Sequence, residues 1–108
     1  MYSQTDFEII KNIIIQDVPE AEEIILFGSY AIDKASEDSD IDILVLLTKD
    51  YNWIERRDIL NRIYRDTAQK GYLVDFILKN KKKFDKDKRL ATISKTIATE
   101  GRLLWKKA

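Results

Sequence analysis

No cysteine and no histidine occurs in the 108 residues. The first absence excludes disulfides and thiolate metal sites, and the second removes imidazole as a ligand. Any metal must then be held by oxygen, which suits a hard cation such as Mg²⁺. Proline occurs once and glycine three times, and no linker divides the chain, so one domain over residues 1–108 is expected. No apolar run approaches the roughly 20 residues that span a bilayer. The first residues also lack the basic-then-apolar order of a signal peptide. The expectation is a cytoplasmic protein with no membrane association.

What is present is a soluble, globular composition, 44% hydrophobic and 35% charged. Net charge is zero, yet its distribution is lopsided. Residues 1–78 hold 8 Lys/Arg against 16 Asp/Glu, and residues 79–108 hold 11 against 3. That split marks either an anion- or partner-binding end or a solvated loop and helix face.

The pattern of elements reads α-β-α-β-α-β-α. "TDFEIIKNIII" places Phe7, Ile10, Ile13 and Ile14 at helical spacing, with Thr5 and Glu8 as a capping box and Pro19 closing the helix. "EEIILFG" and "IDILVLL" are buried strands, and Ser29–Ala35 has room for about two turns of helix between them. A long helix follows, capped by Asn52 and Glu55 and ended by Gly71, with Trp53, Leu60, Ile63, Tyr64 and Thr67 facing inward. "YLVDFIL" is a third strand that should be central. A lysine-rich loop, "KNKKKFDKDKR", leads to a last helix near Leu90–Thr99, and "RLLW" adds an edge strand. The fold class is α/β or α+β, a small mixed sheet packed with helices.

Three features carry chemistry. Gly28 and Ser29 stand where a strand hands over to a helix start, whose free N–H groups and positive dipole end favour phosphate. The same pair is also common in plain turns and caps. Asp40 and Asp42, at i and i+2, point to one face of a strand while Ile41 and Ile43 point to the other. Side by side, the two carboxylates call for a cation, unless Asp40 is a turn residue and Asp42 an exposed strand position. Asp75 is the lone charge of its strand and needs a partner, either a metal or an arginine of the long helix. Three carboxylates converging near a phosphate-binding turn describe a two-metal phosphoryl-transfer site.

"GSYAIDKASEDSDID", followed by "VDF" and by the closing "IATEGRLLW", resembles the signature of the minimal nucleotidyltransferases (MNT) of the DNA polymerase β superfamily. The resemblance covers nearly the whole chain. It implies that Gly28 and Ser29, with Lys34, hold the phosphates of ATP. It implies that Asp40, Asp42 and Asp75 bind two Mg²⁺ ions, with Asp75 helping to activate an acceptor hydroxyl. Pyrophosphate would leave and the acceptor would carry a nucleoside monophosphate.

Minimal nucleotidyltransferases often pair with a HEPN protein as antitoxin to toxin and adenylylate it on tyrosine. The resemblance therefore implies a HEPN partner in a hetero-oligomer, since 108 residues leave little room for an acceptor domain. Many relatives continue with Arg-Gly where this chain has Ile32 and Asp33. That change removes a cation and adds an anion near the triphosphate, and it favours the alternative of a module that neutralises a partner by binding alone. Nucleic-acid binding by Lys79–Arg89 ranks below both, because Phe84 is the one aromatic residue there.

Overall fold

The computed structural model describes residues 1–90 and 92–108. The elements run α1 (Gln4–Asp17), β1 (Ala21–Phe27), β2 (Ile41–Leu47), α2 (Trp53–Gln69), β3 (Val74–Asn80), α3 (Lys81–Asp87), α4 (Ile93–Glu100) and β4 (Arg102–Lys106). The strands form one mixed sheet in the order β3-β2-β1-β4. β1 is antiparallel to both β2 and β4, while β2 and β3 run parallel. A parallel pair needs a long crossover, and α2 supplies it.

Side-chain alternation divides the sheet into two unequal faces. On one, Ile41, Ile43, Val45 and Leu47 of β2 join Ile24, Leu26, Val74, Phe76 and Leu78 under α1 and α2. Phe7, Ile10 and Ile14 of α1, with Ile59 and Ile63 of α2, close this main core. Each such side chain contributes about 1.5–3 kcal/mol when fully buried. On the other face, Leu44 and Leu46 pack with Phe84 of α3 and Ile97 of α4. These short helices leave the Asp42 end of the face uncovered by the cluster. Among the described residues, no helix is long and apolar enough to cross a membrane.

Several sequence expectations need correction. β3 is an edge strand rather than a central one, and Asp75 is exposed on it. Its apolar run is explained by α2 covering Val74, Phe76 and Leu78 on one face. Residues 29–33 form turns and 34–36 have no regular structure, so the expected helix is absent. The lysine-rich segment contains helix α3, started by the Asn80 side chain, which accepts the Lys83 N–H at 3.1 Å. Lys81, Asp85 and Lys88 support it through i,i+4 and i,i+3 pairs. The last helix begins at Ile93, and Ala91 of its expected span lies outside the described residues. At the start of α1 the cap is Ser3, whose N–H donates to Asp6 at 2.8 Å, two residues ahead of the expected box. In α2 the Asn52–Glu55 box is present. Trp53 faces solvent, however, and Ile59 takes the inward position.

Candidate active site

Three segments meet where β1 ends and where β2 and β3 begin. β1 and β2 are antiparallel, so the last residue of β1, Phe27, lies opposite Asp42. The parallel register sets Asp42 opposite Asp75. Residues aligned across a sheet share a face, and neighbouring strands are about 5 Å apart. Asp42 and Asp75 are therefore adjacent carboxylates on the face that α3 and α4 leave open. Asp40 is exposed two residues before Asp42. Burial first, then the charges of Asp75 and Asp40, push the Asp42 carboxyl above its ordinary pKa. The charges of Asp40 and Asp75 thus both reach Asp42, the middle of the three predicted carboxylates.

Gly28 adjoins this row through backbone conformation. Its φ of 72° suits glycine, and a Cβ built there would overlap the Asp42 carboxylate. The missing side chain is what lets the Asp42 carboxylate stand against the turn. Ser29 follows, half-buried. The turn closes with the Ala31 N–H donating to Gly28 O at 3.0 Å and the Lys34 N–H donating to Ser29 O at 2.9 Å. That second bond spans six residues around Asp33, which has φ 57°. This is the bonding of a helix C-terminus with a left-handed residue at its end. Asp33 therefore fills the conformation a glycine would supply, and the same closure prevents the expected helix. Lys34 is exposed at the loop end, away from the carboxylate row in sequence but tied to Ser29 through its backbone.

Among the described residues, no ion pair engages Asp40, Asp42 or Asp75. The arginine partner considered for Asp75 is not used. Arg56 donates to the Leu78 carbonyl, while Arg57 and Arg65 pair with Asp58 and Asp66. Nor do the described residues already gather three carboxylates at cation-caging distance. The donor set nonetheless fits a hard divalent cation. It is all oxygen, its charge is uncompensated, and the Gly28 cradle holds Asp42 beside the turn.

The sequence reading missed an aromatic cluster behind the turn. Tyr30, buried, packs edge-on to Phe7 at 5.6 Å and lies 5.9 Å from the Tyr2 ring. Tyr2 also packs edge-on to Tyr72 at 5.6 Å. Cavities of about 330 and 400 Å³ flank Tyr2 and Tyr30, one reaching Asp33 and Arg102, the other Ser39 and Leu73. These residues are far apart along the chain, so no periodicity announces them. The one signal is the tyrosine directly after Gly28-Ser29.

The sequence model of the nucleotidyltransferase domain matches residues 8–102. The chain belongs to the nucleotidyltransferase domain family. Solved structures agree. A candidate nucleotidyltransferase from Sulfolobus solfataricus superposes with TM-score 0.66 at 26% identity, covering 95% of this chain and 79% of that one. A toxin–antitoxin complex solved with AMP-PNP gives TM-score 0.64 at 26% identity, covering 94% and 73%. The complex of MNT antitoxin with tri-AMPylated HEPN toxin from Shewanella oneidensis shares the fold, with TM-score 0.61 at 24% identity and coverage of 96% and 72%. None of the curated proteins matches. This nucleotidyltransferase domain is thus MNT-like in fold, a four-stranded mixed sheet with four helices among the described residues.

Proposed function

We propose that the chain is an Mg²⁺-dependent nucleotidyltransferase that moves AMP from ATP to a hydroxyl, most directly a tyrosine of a HEPN-type toxin, and so acts as its antitoxin. The observation that carries this reading is the row formed by the Gly28 turn, Asp42 and Asp75. The 26%-identical toxin–antitoxin complex with AMP-PNP supports the nucleotide and the kind of partner.

Asp40, Asp42 and Asp75 would hold the metal, which when bound neutralises phosphate charge and orients the α-phosphate for in-line attack. The chain's own groups do the rest. The turn after Gly28 presents backbone N–H groups and the Ser29 hydroxyl to the distal phosphates. Asp75, on the exposed edge strand, accepts the proton of the acceptor hydroxyl as its oxygen bonds to the α-phosphorus. The bond from that phosphorus to pyrophosphate breaks, and pyrophosphate leaves. Asp75 is exposed at the sheet edge, and in this reading the acceptor hydroxyl is brought to it by the partner in a hetero-oligomer.

The second reading, a module that neutralises its partner by binding without turnover, is favoured by Ile32 and Asp33, which stand in the turn after Ser29 where many relatives carry Arg-Gly. Incubating the pair with labelled ATP and Mg²⁺ decides between them. The expected result is label on a partner tyrosine, with Asp42→Asn binding the partner but transferring nothing. Neutralisation by the wild type with no transfer establishes the binding module instead.

A further inference from the structure

Tyr2 stands between the two arms of the site. One arm is the turn that carries Ser29 and continues into Tyr30; the other is the approach to Asp75 through Tyr72 and Leu73. The Tyr2 ring contacts both, at 5.9 Å from Tyr30 and 5.6 Å from Tyr72. Its backbone N–H donates to the Tyr30 hydroxyl at 3.3 Å, and its own hydroxyl accepts the Leu73 N–H at 3.4 Å. The second arm then passes to the aspartates, because the Leu73 carbonyl accepts the Ile41 N–H at 3.0 Å, between Asp40 and Asp42. Both arms are anchored behind Tyr2 on α1. Phe7 packs on Tyr30, and the Tyr72 hydroxyl donates to Asp6 at 2.9 Å.

We propose that Tyr2 is a positioning residue, a tie between the phosphate turn and the aspartate strands that sets where Ser29 stands relative to Asp42 and Asp75. The proposal rests on the transferase reading above. A ring wedged between two arms fixes their separation, whereas each arm alone retains its own ligand groups. Loss of the ring should then leave nucleotide affinity in place and misplace the bound phosphate relative to the proton acceptor. A misplacement of about 1 Å can cost on the order of a hundredfold in rate.

The test compares Tyr2→Ala with Tyr2→Phe, which keeps the ring. In Tyr2→Ala, kcat for label transfer should fall at least about tenfold, with the ATP Kd by calorimetry within about twofold of wild type. Tyr2→Phe should remain within about threefold in kcat. A merely structural role predicts a lower melting temperature with kcat unchanged well below it, and that result overturns the proposal. So does an ATP Kd that rises in step with the loss of kcat. Amide exchange tests the tie without nucleotide or acceptor. In Tyr2→Ala, residues 29–34 and 73–75 should both exchange at least about tenfold faster. If the wild type transfers no label, the activity reading fails and exchange alone judges the tie: unchanged protection in either arm overturns it.

Discussion

Strand β3 carries two charged side chains on the same face, and they live differently. Asp75, near its start, has no cation partner among the described residues and faces Asp42 across the register. Lys79, four residues on, binds Asp87 at 2.8 Å and the Ser94 hydroxyl at 2.8 Å. Next to it Lys81 bridges Glu23 and Asp85, each at 2.8 Å. At the helical end, charge is matched and holds α3 and α4 to the sheet. At the open end, like charges are set side by side, and the Asp42 carboxyl is pushed upward. Neighbouring carboxylates without a cation weaken the fold, and the proposed function accounts for the open end by what it would bind rather than by what it stabilises. Within the basic C-terminal third, Lys79, Lys81, Lys83 and Lys88 are paired with nearby acids.

The contrast can be broken at either end. Asp42→Asn should lower label transfer by about a thousandfold or more, the scale of losing a central electrostatic group, without lowering the melting temperature. The folded wild type holds the Asp42 proton more tightly than the unfolded chain, so wild-type stability falls as pH rises through that raised pKa. The variant should lack this part of the slope in thermal melts. Lys81→Ala should do the reverse. It leaves Glu23, 8% exposed, facing no cation, and should cost about 3 kcal/mol in urea unfolding, with transfer per folded molecule unchanged. A loss of transfer without a loss of stability would erase the distinction between the two ends.

Smaller effects sharpen it. Ser29→Ala should weaken ATP binding about tenfold, one hydrogen bond to a charged group, with AMP affinity unchanged in calorimetry. Equal losses would remove Ser29 from the distal phosphates. The smallest effect concerns a second carboxylate pair remote from the site. Burial first, then a hydrogen bond to and the charge of Asp66, push Asp17 up to about 6. The folded state thus keeps a proton that the unfolded state loses near 3.8. This contribution to stability is present at low pH and disappears as pH rises from about 4 to 6. Asp17→Asn should melt with a shallower decline than wild type across that window.

The strands, α1, α2 and the aspartate row were legible because each rests on a short-range rule: alternation, helical spacing or a local cap. Ile41 and Ile43 do enter the core while Asp42 faces the other way. What escaped depends on tertiary context. Residues 29–35 read as helix although Asp33, standing where many relatives have glycine, can adopt the left-handed conformation; it does so, and closes the segment early. The lysines of α3 masked a helix whose inward anchor is Phe84. β3 read as central because a strand covered by helices on one face and partly on the other has nearly the apolar content of an inner strand. The Tyr2–Tyr30–Tyr72 cluster joins residues whose nearest spacing is 28, beyond any window of periodicity.

Tyr64 and Arg56 have a wider consequence for how this sheet can grow. The Tyr64 hydroxyl accepts the Phe76 N–H at 2.9 Å, and the Arg56 guanidinium donates to the Leu78 carbonyl. Reaching over from α2, they occupy two of the hydrogen-bonding groups that an added strand would need along the free side of β3. The border next to Asp75 is thus partly blocked against sheet extension, while Asp75 itself stays exposed. A strand of another chain that approached this acidic rim would have to displace both side chains before it could pair along β3.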